Sequence, residues 1–90
     1  MSLLEENLRS DLLDATRARD EVRRNTLRMV IAAIGNAKIE LRRDLSDDEI
    51  VKVLQKEAKQ RRESIEEFQK GNRDDLVQKE QAELKIIELL

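Results

Sequence analysis

The chain has 90 residues, 42% of them charged, with 18 basic and 20 acidic side chains and no His, Cys or Pro. Ninety residues make one small domain at most, and the missing Cys excludes disulfides, thiolate metal centres and thiol redox chemistry. The formal charge of −2 gives no general pull toward nucleic acid.

A chain this short buries only about two-thirds of the surface that its unfolded form exposes. Leu, Ile, Val and Phe still supply 26 of the 90 residues, enough for a packed core. Phe68 is the only aromatic, so that core is expected to be aliphatic. Ala, Leu, Glu, Lys, Arg and Gln dominate the remainder, and these residues lose least on entering a helix. The N-terminal residues Met1-Ser2-Leu3-Leu4-Glu5-Glu6 lack the basic start and apolar run of a signal peptide. No apolar stretch is long enough to cross a bilayer. Together with the absence of Cys, these features lead to an expected cytoplasmic location without membrane contact.

The first helix is expected over about 3–17. Ser2 followed by Glu5 reads as a capping box, and Leu4, Leu8, Leu12 and Ala15 share one face. Asp20 is the expected N-cap of a second helix over about 21–41, because its carboxylate suits the positive helix end. Leu27, Val30, Ile34, Ala37 and Leu41 form its stripe, which Val22, Met29, Ile31 and Ala33 widen to about half the circumference. An arc that wide needs more than one neighbour, so this helix is expected to be central. Ser46-Asp47-Asp48-Glu49 repeats the capping box and starts a third helix over about 47–70, with a seam of Ile50, Leu54, Ala58, Arg61, Ile65 and Phe68. Gly71 is expected to end it as a left-handed cap. Asn72 or Asp74 then starts a fourth helix over about 73–90, carrying Leu76, Val77, Leu84, Ile87 and Leu90. Short connections make sequential helices pack roughly antiparallel. The expected fold is an all-α, four-helix, mainly antiparallel bundle comprising residues 1–90 as a single domain.

Catalytic chemistry finds little support. Neutral-pH proton transfer most often uses His, no Ser has a His to activate it, and Gly35 and Gly71 are too isolated to build a phosphate-cradling loop. Asp47, Asp48 and Glu49 fit no calcium loop, and helix capping accounts for all three. The expectation is therefore no catalytic residue, no metal and no cofactor.

Contact faces are more informative. Residues 17–43 carry 8 basic and 3 acidic side chains, and residues 63–90 carry 4 and 8, so a near-neutral total hides a polarised molecule. Arg24, Arg28, Lys38 and Arg42 fall on one side of the second helix with Gly35 among them, a basic stripe with one bare backbone patch where a phosphate backbone or partner helix could approach. The plainer reading is a solvated charged face, and it is preferred. Lys52, Lys56 and Lys59 form a second row on the third helix with Arg62 nearby, suited to phosphates or an acidic partner, but no aromatic accompanies them to stack on bases. Arg61 sits in the apolar seam, one turn after Glu57. It reads either as a core-covering residue paired with Glu57 or an acid on another helix, or as an interfacial anchor, and the structural role is preferred. Ile86, Ile87, Leu89 and Leu90 are poorly suited to water, and are expected to dock on the bundle, to self-associate or to lead into further chain.

Several strings together resemble the YqeY family, whose members are similar to the C-terminal part of the B subunit of glutamine-dependent aminoacyl-tRNA amidotransferases. They are Thr26-Leu27-Arg28-Met29, Ala33-Ile34-Gly35-Asn36, Leu45-Ser46-Asp47-Asp48-Glu49, Lys59-Gln60-Arg61-Arg62-Glu63-Ser64-Ile65-Glu66, Gly71-Asn72-Arg73-Asp74-Asp75-Leu76-Val77 and Glu80-Gln81-Ala82-Glu83-Leu84. Many relatives are expected to carry Lys where this chain has Gly35, a departure that weakens the basic stripe as a shared site. The resemblance implies a two-part helical protein of which this chain is the first part, with a C-terminal tail subdomain beginning beyond Leu90. It further implies a non-catalytic accessory role linked to tRNA or an aminoacyl-tRNA-related enzyme. A structural or protein-interaction bundle without a nucleic-acid role is the alternative.

Overall fold

The computed structural model describes residues 1–90 and contains four helices: α1 Leu3–Arg17, α2 Glu21–Leu41, α3 Asp47–Lys70 and α4 Asp74–Glu88. Each of the first three starts where a short polar side chain can replace missing helical acceptors. The Glu5 N–H donates to Ser2 Oγ at 3.1 Å, the Arg23 N–H to Asp20 Oδ1 at 3.2 Å and the Glu49 N–H to Ser46 Oγ at 3.2 Å. At Ser46 the box is complete, since the Ser46 N–H donates back to Glu49 Oε1 at 3.0 Å. At Ser2 only half of it forms. The Glu5 carboxylate turns inward to Lys38 instead, because an ammonium is a stronger donor than a backbone amide.

The first three helices end at the expected residues, Arg17, Leu41 and Lys70, but the left-handed residue that closes α3 differs from expectation. Gly71 has φ −88° and is not left-handed; Asn72, with φ 55°, takes that conformation. The Arg73 N–H then reaches Phe68 O at 2.9 Å and the Asn72 N–H reaches Gln69 O at 3.2 Å, the paired bonds of a Schellman ending. Arg19 and Arg42, both at φ 56°, close α1 and α2 similarly. The N-cap of α4 is accordingly Arg73, without a side-chain bond, rather than Asn72 or Asp74, and the helix stops at Glu88.

Ion pairs and grooves give the helix directions. Glu5 at the start of α1 meets Lys38 near the end of α2, while Asp11 meets Arg23, so this pair is antiparallel. Arg43 after α2 meets Glu49 at the start of α3, and Met29 meets Arg61, again antiparallel. Val51 and Leu54 early in α3 share a groove with Ile87 and Leu90 at the end of α4. Helix α2 touches all three others, as expected, but so does α3; α1 and α4 do not meet. The centre is a pair of helices.

The core joins Leu8 and Ala15 of α1, Leu27, Val30 and Ile34 of α2, Ile50, Leu54 and Ala58 of α3, and Ile87 of α4. Leu45, outside any helix, completes it at 4% exposure. It precedes the Ser46 cap and lies beside Ile50 in the same cluster, which is the arrangement of a hydrophobic staple. Coverage of the wide α2 arc is incomplete: Val22, Met29 and Leu41 stay exposed.

Candidate partner-contact faces

Two of the nine basic residues singled out above are engaged inside the bundle. Lys38 Nζ donates to Glu5 Oε2 at 2.6 Å, and Arg9 reaches the same oxygen at 3.2 Å. Burial pushes the Glu5 carboxyl up, but hydrogen bonds from Lys38 and Arg9 outweigh it and hold the group below its ordinary value. The reciprocal bond raises Lys38. Arg61 is buried in the α3 seam, with Nη1 2.9 Å from Glu57 Oε1 and Nε 3.4 Å from Glu83 Oε1 on α4. Its Nη2 also approaches the Met29 sulfur at 3.6 Å, so one guanidinium ties three helices together.

The other seven, Arg24, Arg28, Arg42, Lys52, Lys56, Lys59 and Arg62, have no acidic partner within 4.0 Å. They do not form one face. Arg24, Arg28 and Arg42 follow the edge of α2 that carries Lys38, beside α1; Arg24 is half-buried and the other two are exposed. On α3, Lys56 turns into a groove of about 280 Å³ shared with Ala33, Asn36 and Glu40 of α2. Arg62 turns the opposite way, into a groove of about 370 Å³ between α3 and α4. Lys52 and Lys59 remain exposed and line neither groove. Arg62 thus faces a different neighbour from Lys56, while Lys52, Lys56 and Lys59 all stay exposed. A Cβ placed on Gly35 would meet nothing within 4 Å, so the patch of bare α2 backbone is open.

At the chain end, Ile87 is buried and Leu90 packs against the core, whereas Leu89 is 80% exposed. No helix is long and apolar enough to cross a membrane, and no three His, Cys, Asp or Glu side chains converge as a metal site. What sequence reasoning missed is the pairing of Lys38 with Glu5 and the identity of Glu83 as the acid on another helix that Arg61 was expected to reach. Both pairings cross between helices, and only the i,i+4 partner Glu57 has a sequence signal.

Comparison with known proteins places these surfaces in a family context. A family model described as Yqey-like protein matches residues 5–89. Three fungal relatives share the name altered inheritance of mitochondria protein 41, mitochondrial. The one from Lachancea thermotolerans is 40% identical over 82 residues, covering 90% of this chain and 44% of its own length. Those from Eremothecium gossypii and Kluyveromyces lactis are 41% and 42% identical, covering 91% and 90% of this chain and 45% and 44% of theirs. The chain thus spans less than half the length of the curated relatives it matches. The expected cytoplasmic location is corrected by these relatives, which are mitochondrial by name. A chain without Cys carries no redox signature, so its composition does not distinguish the two compartments.

Proposed function

Because the chain belongs to the Yqey-like protein family, we propose that it is a helical accessory module acting by contact rather than catalysis, and that its target is tRNA or a tRNA-bound translation enzyme. One observation carries the reading: Arg24, Arg28 and Arg42 lie along one edge of α2 without acidic partners, while Lys38 on that edge is held by Glu5. Eighteen residues of helix extend about 27 Å, a length suited to several phosphates of a macromolecule rather than one small anion. With Phe68 the only aromatic, base stacking contributes little, and backbone or shape contact is the mode that remains. The sequence strings resemble the YqeY family, and the likeness of that family to the amidotransferase B subunit suggests the tRNA class; the relatives' names suggest a mitochondrial setting.

The test is tRNA binding across a salt series, with the wild-type chain and Arg24→Glu/Arg28→Glu/Arg42→Glu compared. Each phosphate contact adds a slope of about −0.7 to −0.9 in log K against log salt. The triple variant is expected to bind more weakly and to lose about two to three contacts' worth of slope. Absence of binding by the wild-type chain at low ionic strength overturns the tRNA reading and leaves a protein-interaction bundle.

A further inference from the structure

The free cations of α2 are not spread evenly along it. At about 100° per residue, Arg24, Arg28, Ala32, Gly35, Ile39 and Arg42 share one face of the helix. Arg24 and Arg28 stand toward one end of this face and Arg42 at the other, none with an acidic partner within 4.0 Å. Arg28 and Arg42 are about 21 Å apart along the axis, and no free cation lies between them. Lys38, which flanks this stretch, is held by Glu5 at 2.6 Å. The gap presents instead Ala32, the bare backbone at Gly35, where a Cβ would meet nothing within 4 Å, and Ile39, which is 75% exposed. Glu21, the acid on the same arc, lies beyond Arg24 at the helix start and outside the gap.

We propose that this face lies across the minor groove of a double-stranded RNA arm, with Arg24 and Arg28 on the phosphates of one strand and Arg42 on those of the other. This rests on the tRNA reading above and names the part of such a molecule that is held. A single strand carries its phosphates in unbroken succession, so a face complementary to it carries cations throughout; a gap of about 21 Å leaves several phosphates unmatched. Across a duplex groove the phosphates come in two rows, with sugars and base edges between them. The minor groove of A-form RNA is wide and shallow, open to a helix face that bridges both rows. That of B-DNA is only about 6 Å wide. Over the RNA groove the bare backbone at Gly35 approaches the ribose 2′-hydroxyls, and Ile39 packs on sugar carbons. This mode needs no aromatic side chain, and the face has none.

Fluorescence anisotropy in about 0.1 M salt compares a labelled RNA duplex, the DNA duplex of the same sequence and one unpaired RNA strand, with intact tRNA alongside. One phosphate contact contributes a factor of about eight at that salt through counterion release. A ligand that engages only one end of the face loses that factor, so the RNA duplex is expected to bind about eightfold tighter than the DNA duplex or the single strand. Arg42→Gly removes one cation and keeps the left-handed closure of α2; it should lower duplex affinity to near that of the single strand. Ile39→Lys places a cation in the gap at an exposed position, and should strengthen single-strand binding until the preference disappears. Circular dichroism should show unchanged helix content in both variants. Equal affinity for the RNA duplex and either alternative overturns the proposal, as does a preference that survives Arg42→Gly. If tRNA still binds in those cases, the tRNA reading stands without the groove; if tRNA itself does not bind, both fall.

Discussion

Arg61 Nε lies 3.4 Å from Glu83 Oε1, a contact between α3 and α4 in which the two side chains are only 9% and 8% exposed. The guanidinium also serves Glu57, so it neutralises acids from two helices. Glu80, one turn before Glu83, is raised above its ordinary value by burial and by the Glu83 charge, which shows how little spare positive charge the site has. Arg61→Leu would leave Glu57 and Glu83 without their cation. Removing one partner of a buried ion pair costs about 3–5 kcal/mol, so its urea midpoint should fall sharply. Arg61→Leu with Glu83→Leu should recover much of the loss, because an apolar pair replaces the ionic one. Wild-type stability in Arg61→Leu with loss of partner binding would instead assign Arg61 to an interface.

Gly35 supports a two-sided experiment. Nothing lies within 4 Å of a Cβ built there, so Gly35→Ala removes backbone freedom from the unfolded chain without a clash. Stability is expected to rise by about 0.5–1 kcal/mol in urea denaturation. If a partner's backbone passes over this bare patch of α2, tRNA affinity should fall while stability rises. Equal affinity in the two proteins would make the glycine incidental to contact.

Arg19 offers a separate gain. It closes α1 at φ 56° without the freedom of glycine, and the left-handed region costs a side-chain-bearing residue about 1–2 kcal/mol. It has no ion-pair partner to lose. Arg19→Gly should therefore raise stability by about 1 kcal/mol, read from the same denaturation curves. An unchanged or lower midpoint would mean that the arginine stem contributes packing comparable to the strain.

These results show which parts of the structure were legible in the sequence. Three of the four helix starts were, because capping is local: Ser2, Asp20 and Ser46 each bond within three residues of themselves, whereas α4 starts after Arg73 without a side-chain cap. The ends at Arg17, Leu41 and Lys70 were legible too, but not the left-handed cap after α3, since Gly71 carries the residue type for it while Asn72 has the register. Leu45 carried a readable signal, an apolar residue just before a capping Ser and five before Ile50, and belongs to the core for that reason. Glu5 had no such signal. It looks like a cap partner, and only the packing of α1 on α2 brings Lys38, 33 residues away, to its carboxylate. The candidate faces follow the same division. Helical spacing places basic residues on a stripe, but inter-helix distances decide which cations are neutralised and which face outward.

The pH dependence of stability follows from the same ion pairs, with opposing signs. Arg43 donates two bonds of 2.8 Å to Glu49, and with the Ser46 N–H this lowers the Glu49 carboxyl from 4.5 to about 2. Its folded pKa is below the unfolded value, so the folded state binds fewer protons between the two. The stabilisation is complete above about pH 4.5 and disappears as pH falls toward 2. Glu5 shifts in the same direction. Glu80 shifts upward, so its ionised form opposes folding at neutral pH and that opposition is relieved on protonation. The urea midpoint should therefore fall from pH 4.5 to 2, and Arg43→Ala should flatten part of the decline while lowering the neutral-pH midpoint. Glu80→Gln should raise the midpoint at pH 7, where it removes the opposing charge, and the gain should shrink at acid pH because Glu80 is then neutral in both states. A gain that persisted unchanged at low pH would trace to packing of the amide, and a decline as steep in Arg43→Ala as in the wild type would place the acid sensitivity on the other lowered carboxyls, Glu5, Asp44 and Asp75.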